Sequence, residues 1–131
     1  MKKIAIVLGV VLSLVILNCK SDEQEGVKVV TPEEMENILE MEDVQLVDVR
    51  TPEEHDEGYI ANSQNIDYKS PTFDEDIKKL DKTKPVILYC KTGKRSAKCA
   101  KKLKEAGFEQ IYELEGGITE WKYKGLEVIV E

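Results

Sequence analysis

Short apolar runs alternate with helical patterns along most of this chain. The runs predict strands at 27–30, 44–49, 86–89 and 111–114, with a shorter one ending at Ile66. Between them, apolar residues at helical spacing predict helices at 31–41, 73–80 and 96–106, and shorter ones after Pro52 and around Trp121. Strands separated by helices predict an α/β fold, a three-layer sandwich with a central parallel sheet and helices on both faces.

Local signals sharpen this pattern. Thr31 and Thr51 each precede Pro-Glu-Glu, which predicts two helices that begin with a capping box and a proline in the first turn. Gly107 predicts the end of the third long helix. The uninterrupted apolar run at 86–89 is typical of a central strand buried on both faces, and residues 128–130 close the chain as a last apolar run.

The first 18 residues have the pattern of a bacterial lipoprotein signal peptide. Lys2 and Lys3 precede an apolar run at 4–17, which is shorter than the roughly 18–20 residues that span a bilayer. Residues 16–19, Ile-Leu-Asn-Cys, resemble a lipobox, which predicts cleavage before Cys19 and a lipid on that cysteine. An uncleaved anchor and an ordinary secretory signal are the alternatives.

The lipoprotein interpretation divides the chain into a signal peptide (1–18), a polar, flexible tether (19–26) and one domain (27–131). It predicts a domain outside the cytoplasm, held in the cell envelope by lipid on Cys19. Lys20 after the acylated cysteine resembles enteric sorting signals that disfavour the inner membrane, so the outer membrane or the cell surface is favoured.

Charge and composition exclude several classes of function. The chain has 19 basic and 26 acidic side chains, a net charge of −7, and loss of residues 1–18 removes two lysines and leaves −9. Such a chain lacks the basic field that nucleic-acid binding needs. Its few cysteines and one histidine have no close spacing, so neither a metal site nor a cofactor is predicted.

The loop after the central strand carries the strongest chemical signal. Cys90 ends the strand, and Lys91 to Ser96 form a short Gly-containing turn into the next helix. Backbone N–H groups of such a turn, together with the positive end of the helix dipole, form an anion cradle that favours a thiolate. A thiolate is the nucleophilic form of cysteine, so nucleophilic catalysis on an anionic group, or its storage, is expected at Cys90.

Two other reactive side chains are interpreted as structural. Cys99 lies on a helix face expected to point inward, with Ala97, Ala100 and Leu103. It is therefore a small buried side chain rather than a resolving thiol, and nothing in the pattern favours a disulfide with Cys90. His55 lies in a charged stretch and is expected to pack or to be solvated rather than to catalyse.

Three separated segments together resemble the rhodanese family over residues 27–130. They are Leu-Val-Asp-Val-Arg at 46–50 with Glu53-Glu54 and Gly58-Tyr59-Ile60, Cys-Lys-Thr-Gly-Lys-Arg-Ser at 90–96, and Leu-Glu-Gly-Gly at 114–117 with Trp121 and Gly125. The resemblance implies a rhodanese-like sandwich and a sulfurtransferase that carries sulfur as a persulfide on Cys90. The donor would be thiosulfate, a polysulfide or a persulfide, and the acceptor a thiol, sulfite or cyanide.

The same resemblance assigns roles around Cys90. The amides of Lys91, Thr92, Gly93, Lys94, Arg95 and Ser96 form the expected cradle. Arg95 would order the loop or bind an anionic donor. Asp48 and Arg50 would hold the loop and its entrance, or serve only as structural hydrogen-bond partners beneath the site. No protein partner can be named from the sequence.

Charge patterning adds an observation that does not depend on the family. Seven bases and no acid occupy positions 91–104, namely Lys91, Lys94, Arg95, Lys98, Lys101, Lys102 and Lys104. Lys91 and Lys94 are expected to attract thiosulfate-like anions or an acidic carrier. For the helix members, a solvated face is an equally good interpretation.

Two alternative functions stay open at this point. A phosphatase or arsenate reductase uses a similar loop, but the Cys90 to Arg95 spacing is C-x4-R, whereas phosphate-handling relatives typically have C-x5-R. A non-catalytic module that senses sulfane sulfur or docks a partner is the other alternative, and turnover distinguishes it from an enzyme.

Overall fold

The computed structural model describes residues 26–131. The predicted signal peptide, the lipid site at Cys19 and the tether up to residue 25 lie outside the described residues. Strands occur in chain order as β1 (Val27–Val30), β2 (Gln45–Asp48), β3 (Gln64–Asn65), β4 (Val86–Tyr89) and β5 (Ile111–Leu114). Helices occur as α1 (Pro32–Met41), α2 (Pro52–Glu57), α3 (Phe73–Ile77), α4 (Lys94–Glu105) and α5 (Gly117–Tyr123).

The strands form one parallel sheet in the order β1-β5-β4-β2-β3. The central strand β4 is buried along its whole length, as its uninterrupted apolar run predicts. Its register sets Tyr89 beside Asp48 and Leu88 beside Glu113, so the ends of β2, β4 and β5 meet at one edge of the sheet. Ligands of open α/β sheets bind at this edge.

Alternating side chains of β4 supply two cores, one on each face of the sheet. Val86, Leu88 and Cys90 pack in one core with residues of α3 and α4. Ile87 and Tyr89 pack in the other with residues of α1 and α5. The three-layer α/β sandwich predicted from the alternation of strands and helices is therefore confirmed.

Both predicted capping boxes are present. The hydroxyls of Thr31 and Thr51 accept the N–H of the glutamate three residues on, and that glutamate's side chain accepts the threonine N–H. Each interaction satisfies an N–H group that a helix start leaves without a partner. Among residues 26–131, none of the helices is long and apolar enough to cross a membrane.

Several element boundaries differ from the prediction. Helix α4 begins at Lys94 rather than Ser96, because Gly93 has a φ of +105° and its carbonyl already accepts the Ala97 N–H. Helix α3 ends at Ile77 rather than Leu80, because the next three N–H groups bond three residues back, as in tighter helical turns. The last apolar run makes only one antiparallel bridge, between Ile129 and Tyr59.

One predicted core position is wrong. Ala97 is exposed, whereas Cys99, Ala100 and Leu103 are buried as expected. The buried face of α4 is centred on Ser96, Cys99 and Leu103, and a turn of about 100° per residue places Ala97 at its margin.

Candidate functional site

Cys90 lies at the carboxyl end of the central strand, directly after β4. It is 1% exposed, and its side chain belongs to the core beneath α3 and α4. A thiol at this position is fixed by the sheet and enclosed by the loop that follows it. A reactant that touches the sulfur must therefore enter that loop.

The loop between β4 and α4 directs a backbone donor at the sulfur. Gly93 adopts a left-handed conformation, and its N–H donates to Cys90 Sγ at 3.0 Å. Gly93 is also the N-cap of α4, and as a glycine it has no side chain that could accept the first N–H groups of the helix. The first N–H groups of α4 have no partner within the helix, so the positive end of the helix dipole lies beside the sulfur. This environment stabilises a negative charge there.

Ser96 links the sulfur to the loop backbone. The Cys90 thiol donates to Ser96 Oγ at 3.6 Å, and the Ser96 hydroxyl donates to the Gly93 carbonyl at 3.0 Å. Ser96 is fully buried. Because a hydroxyl both accepts and donates, Ser96 can accept from the thiol and can rotate to donate to a thiolate.

The start of α5 supports the loop from behind. The N–H groups of Ile118 and Thr119 donate to the carbonyls of Cys90 and Lys91, at 2.9 and 3.1 Å. This contact requires glycine at position 117, because a Cβ there would lie 2.5 Å from both carbonyl oxygens. Gly117 also has a φ of +59°, which favours glycine. The second glycine of the Gly-Gly pair in the third sequence segment thus has a physical reason.

Arg95 forms an ion pair with Glu54, which the sequence predicts only as part of a helix cap. Its guanidinium donates to both carboxylate oxygens of Glu54, at 2.6 and 2.7 Å. The hydrogen bond from Arg95 lowers the pKa of Glu54 to about 2, and the pair raises the pKa of Arg95. Arg95 was predicted either to order the loop or to bind an anionic donor. This geometry favours ordering of the loop, because the Glu54 carboxylate of α2 already binds the guanidinium.

Asp48 and Arg50 form a buried ion pair beside the site. Arg50 donates to the Asp48 carboxylate with its N–H and guanidinium, at distances down to 2.7 Å, and to the Gly58 carbonyl at 2.6 Å. Burial alone would lower the pKa of Arg50, but the hydrogen bonds and charge of Asp48 outweigh it and the pKa is raised. His55 Nδ1 lies 2.8 Å from Asp48 Oδ2, and its ring stacks on Tyr59. The pair therefore fixes α2 and the chain after it.

Tyr89, the last residue of β4, continues this support on the face of the sheet opposite Cys90. Its hydroxyl accepts the Ile60 N–H at 3.1 Å and lies 2.9 Å from Ser63 Oγ. Burial raises the pKa of Tyr89 to about 12. The Arg50 guanidinium lies 5.7 Å from the centre of its ring. Tyr89 is thus a neutral structural hydrogen-bond partner.

Cys99 lies in the same core as Cys90, on the buried face of α4. It is 1% exposed, and burial raises the pKa of its thiol to about 12. The thiolate required of a nucleophile is therefore suppressed at neutral pH. Cys90 and Cys99 are both free thiols.

The outer side of the loop is polar and open to solvent. Lys91, Thr92 and Lys94 are exposed. A cleft of about 780 Å³ begins at Thr92, Gly93 and Lys94 and extends to Glu113 and Glu115 at the end of β5. Burial raises the pKa of Glu113 on the wall of this cleft.

The tertiary structure separates the predicted site residues into two groups. Lys91 to Gly93 form the loop after Cys90 and Lys94 to Ser96 form the first turn of α4, whereas Asp48 and Arg50 pair with each other at the end of β2. The pairing of Arg95 with Glu54 has no signal in the sequence pattern, because the two residues are 41 positions apart.

In the part of the chain that the structure describes, no group of His, Cys, Asp and Glu side chains is arranged to hold a metal.

A family model for the rhodanese-like domain matches residues 31–124, which contain the whole site. The chain belongs to the rhodanese-like family. In this rhodanese-like domain, residues 90–95 form the turn from β4 into α4, and the five-stranded parallel sheet holds that turn in place.

Two curated relatives are similar to this rhodanese-like chain. The thiosulfate sulfurtransferase GlpE of Coxiella burnetii is 35% identical over 85 residues, covering 65% of this chain and 78% of GlpE. The "Probable adenylyltransferase/sulfurtransferase MoeZ" of Mycobacterium tuberculosis is 38% identical over 93 residues, covering 70% of this chain but 24% of MoeZ. The chain therefore spans about a quarter of the length of MoeZ.

A solved structure with a related sequence shares the rhodanese-like fold of this chain. The polysulfide-sulfur transferase homodimer of Wolinella succinogenes superposes with a TM-score of 0.67 at 32% sequence identity. The superposition covers 81% of this chain and 80% of the Wolinella chain.

Proposed function

We propose that this protein is a sulfurtransferase that carries sulfane sulfur as a persulfide on Cys90. The observation that carries the proposal is the position of Cys90 Sγ, enclosed by the 90–95 loop and 3.0 Å from the Gly93 N–H at the start of α4. A persulfide is an anion one sulfur atom longer than the thiolate. The unpartnered N–H groups at the helix start are suited to receive that outer sulfur.

The loading half-reaction needs only the thiolate and a donor. The Cys90 thiolate attacks the outer sulfur of thiosulfate, a bond forms between the two sulfurs, and the sulfur–sulfur bond of thiosulfate breaks. Sulfite leaves with the electron pair of that bond, and Cys90 keeps the outer sulfur as a persulfide anion. A polysulfide donor reacts in the same way, and a shorter polysulfide leaves.

The unloading half-reaction reverses the direction of attack. An acceptor such as a thiolate, sulfite or cyanide attacks the outer sulfur of the persulfide, and the electron pair of the broken bond returns to Cys90 Sγ. The alternation of the two half-reactions predicts ping-pong kinetics. The amides of the loop serve both halves, because each half places a negative charge inside it.

The charged side chains of the loop divide into two functions. Arg95, held by Glu54, orders the loop. Lys91 and Lys94 are exposed and free to attract an anionic donor to the cradle. Asp48 and Arg50 position the chain beside the loop through their own ion pair.

Similar proteins support the donor chemistry. GlpE is named for thiosulfate, and the Wolinella protein for polysulfide. The six residues from Cys90 to Arg95 also favour a sulfur-sized anion over the larger phosphate handled by C-x5-R loops. A sulfane-sulfur sensor without turnover is the second candidate, since the cradle would load in the same way.

The purified protein and its Cys90→Ser and Cys99→Ser variants should be incubated with thiosulfate or polysulfide and examined by intact mass. A gain of one sulfur that cyanide removes, lost only in Cys90→Ser, is the expected result. No gain with either donor on a free Cys90 thiol would contradict the sulfurtransferase and the sensor alike. Repeated turnover with cyanide and thiosulfate, rather than a single loading, separates the enzyme from the sensor.

We also propose that a lipid on Cys19 holds this domain in the cell envelope, outside the cytoplasm and preferably at the outer membrane or cell surface. The support is the sequence of the first 20 residues, with Lys20 after the lipid-modified cysteine. Cells fed an alkyne-labelled fatty acid should incorporate the label into the protein in the membrane fraction. Label that persists in a Cys19→Ala variant, or no label at all, would contradict the anchor.

A further inference from the structure

The basic residues of this chain are concentrated beside the Cys90 loop. Residues 91–104 contain seven of the 19 basic residues and no acidic one. The other 117 residues therefore carry 12 basic and 26 acidic side chains, a net charge of −14 against +7 in this segment. Such a separation of charge creates a local positive field on an acidic molecule.

Only two of these seven bases have an ion-pair partner within residues 26–131. Arg95 pairs with Glu54, and Lys102 lies 3.4 Å from Asp74. The other five are exposed and make no salt bridge in this range; they are Lys91, Lys94, Lys98, Lys101 and Lys104.

Helix geometry arranges three of these lysines in a stripe. Lys94, Lys98 and Lys101 follow the four- and three-residue spacing of one helix face. This face is opposite the buried face of Ser96, Cys99 and Leu103, so it points directly away from the core. The stripe is about 10 Å long at the rise of an α-helix, and it begins at the loop that encloses Cys90.

We infer that the lysine stripe of α4 (Lys94, Lys98 and Lys101) docks a protein acceptor that presents its thiol from an acidic surface. This inference rests on the proposed function and names the partner class for the same site. A small thiol needs contacts only inside the loop, whereas the stripe extends a further turn or two along α4. An acceptor protein that inserts a cysteine into the loop would lie across it, and acidic side chains would complement its charge.

An anionic membrane is a less suitable occupant of the stripe. Because the stripe begins at the loop, a membrane seated on it would cover the entrance to Cys90, a residue that is only 1% exposed. A protein partner instead brings the acceptor group itself to that entrance.

The transfer balances without another reactant. The partner's thiol sulfur bonds to the outer sulfur of the Cys90 persulfide, and the bond from that sulfur to Cys90 Sγ breaks. The electron pair of the broken bond remains on Cys90 as its thiolate. The partner's thiol proton ends on the new partner persulfide. One negative charge is therefore present before the transfer, on the Cys90 persulfide, and one after it, on the Cys90 thiolate.

The test compares two synthetic peptides, each with one cysteine, flanked in one by glutamates and in the other by lysines. The full chain is loaded with thiosulfate, and kcat/KM for sulfur transfer is measured with each peptide and with cyanide. We expect the acidic peptide to be favoured by roughly tenfold at low salt. The preference should disappear at about 1 M salt, where the Debye length is about 3 Å.

Lys98→Gln/Lys101→Gln removes two stripe charges outside the loop. It should lower kcat/KM for the acidic peptide by roughly fivefold and leave cyanide unchanged. Lys78→Gln/Lys79→Gln is the matched control, because it removes two exposed charges at the end of α3. The control should leave the acidic-peptide rate unchanged.

Equal rates with the two peptides, or equal losses in the two double variants, would overturn the inference while turnover with cyanide left the sulfurtransferase intact. Equal peptide rates with phosphatidylglycerol-vesicle binding that depends on Lys98 and Lys101 would likewise overturn it, in favour of a membrane contact. Failure to load sulfur at all would instead contradict the proposed function.

Discussion

Arg95 and Glu54 form a two-point ion pair, with nitrogen–oxygen distances of 2.6 and 2.7 Å, that ties the Cys90 loop to the start of α2. The same Glu54 closes the capping box with Thr51, so one carboxylate both begins a helix and fixes the loop. The position of α2 and that of the loop are therefore held together by one side-chain pair.

Replacement of Glu54 by glutamine should lower the free energy of unfolding by about 2 kcal/mol, because the charge-assisted pair is lost. The Glu54 pKa falls from its ordinary 4.5 to about 2 in the folded protein. Its contribution is thus fully present above about pH 4.5 and is lost as the pH falls toward 2. Urea unfolding of wild type and variant should differ at neutral pH and converge across this window.

The exposed neighbour Glu53 provides the control for this experiment, since Glu53→Gln removes the same charge from the same helix. Sulfur loading should fall in Glu54→Gln and stay normal in Glu53→Gln. Equal unfolding free energies for the two variants at neutral pH would show that the pair with Arg95 does not stabilise the loop.

Alanine at position 117 should damage the cradle. Its Cβ would lie 2.5 Å from the carbonyl oxygens of Cys90 and Lys91, so α5 and the loop must separate. We expect a loss of about 3 kcal/mol in unfolding free energy and little cyanide-releasable sulfur.

Gly125→Ala is the matched comparison for Gly117→Ala. Gly125 also has a positive φ, +76°, but its added Cβ would meet nothing within 4 Å. It should lose only about 1 kcal/mol, the cost of a left-handed alanine, and keep full sulfur loading. If both variants lose stability equally and load sulfur alike, the close approach at Gly117 has no consequence for the site.

Asp48→Asn should be strongly destabilising, by about 3 kcal/mol, because it leaves the buried Arg50 guanidinium without a counter-charge. Asp43→Asn makes the same chemical change in an exposed pair with Lys84 and should change the denaturation midpoint little. Urea denaturation of the two variants checks the difference. Similar midpoints would mean that Asp48 and Arg50 are not held as a buried ion pair.

Cys99 should be chemically silent in the folded protein. Its thiol is buried and its pKa is raised to about 12, so it carries almost no thiolate at neutral pH. In a Cys90→Ser background, iodoacetamide at about pH 8 should leave Cys99 unmodified until urea is added. Rapid alkylation without urea would contradict the burial, and loss of sulfur loading in Cys99→Ala would point to a role in the chemistry.

Much of the framework follows from local patterns. The uninterrupted apolar run at 86–89 predicts a strand that is buried on both faces. Thr51 and Glu54, three residues apart, predict the start of a helix. Boundaries were less predictable, because the left-handed Gly93 lets α4 begin two residues earlier than the apolar spacing indicates. Ala97 was misassigned for a different reason: it lies at the margin of the buried face of α4, where a small side chain does not show which way it points.

The order of the elements, the parallel sheet and the position of Cys90 in a glycine-containing loop could all be predicted from the amino-acid sequence, because they depend on local periodicity and turn chemistry. The pairing of Arg95 with Glu54, the contact of Gly117 with the Cys90 carbonyl and the neutralisation of Arg50 by Asp48 became evident only in the folded chain. The folded chain also decided which lysines of α4 have partners. These relationships join residues from different elements, and their distances follow from how the sheet and helices pack rather than from any segment alone.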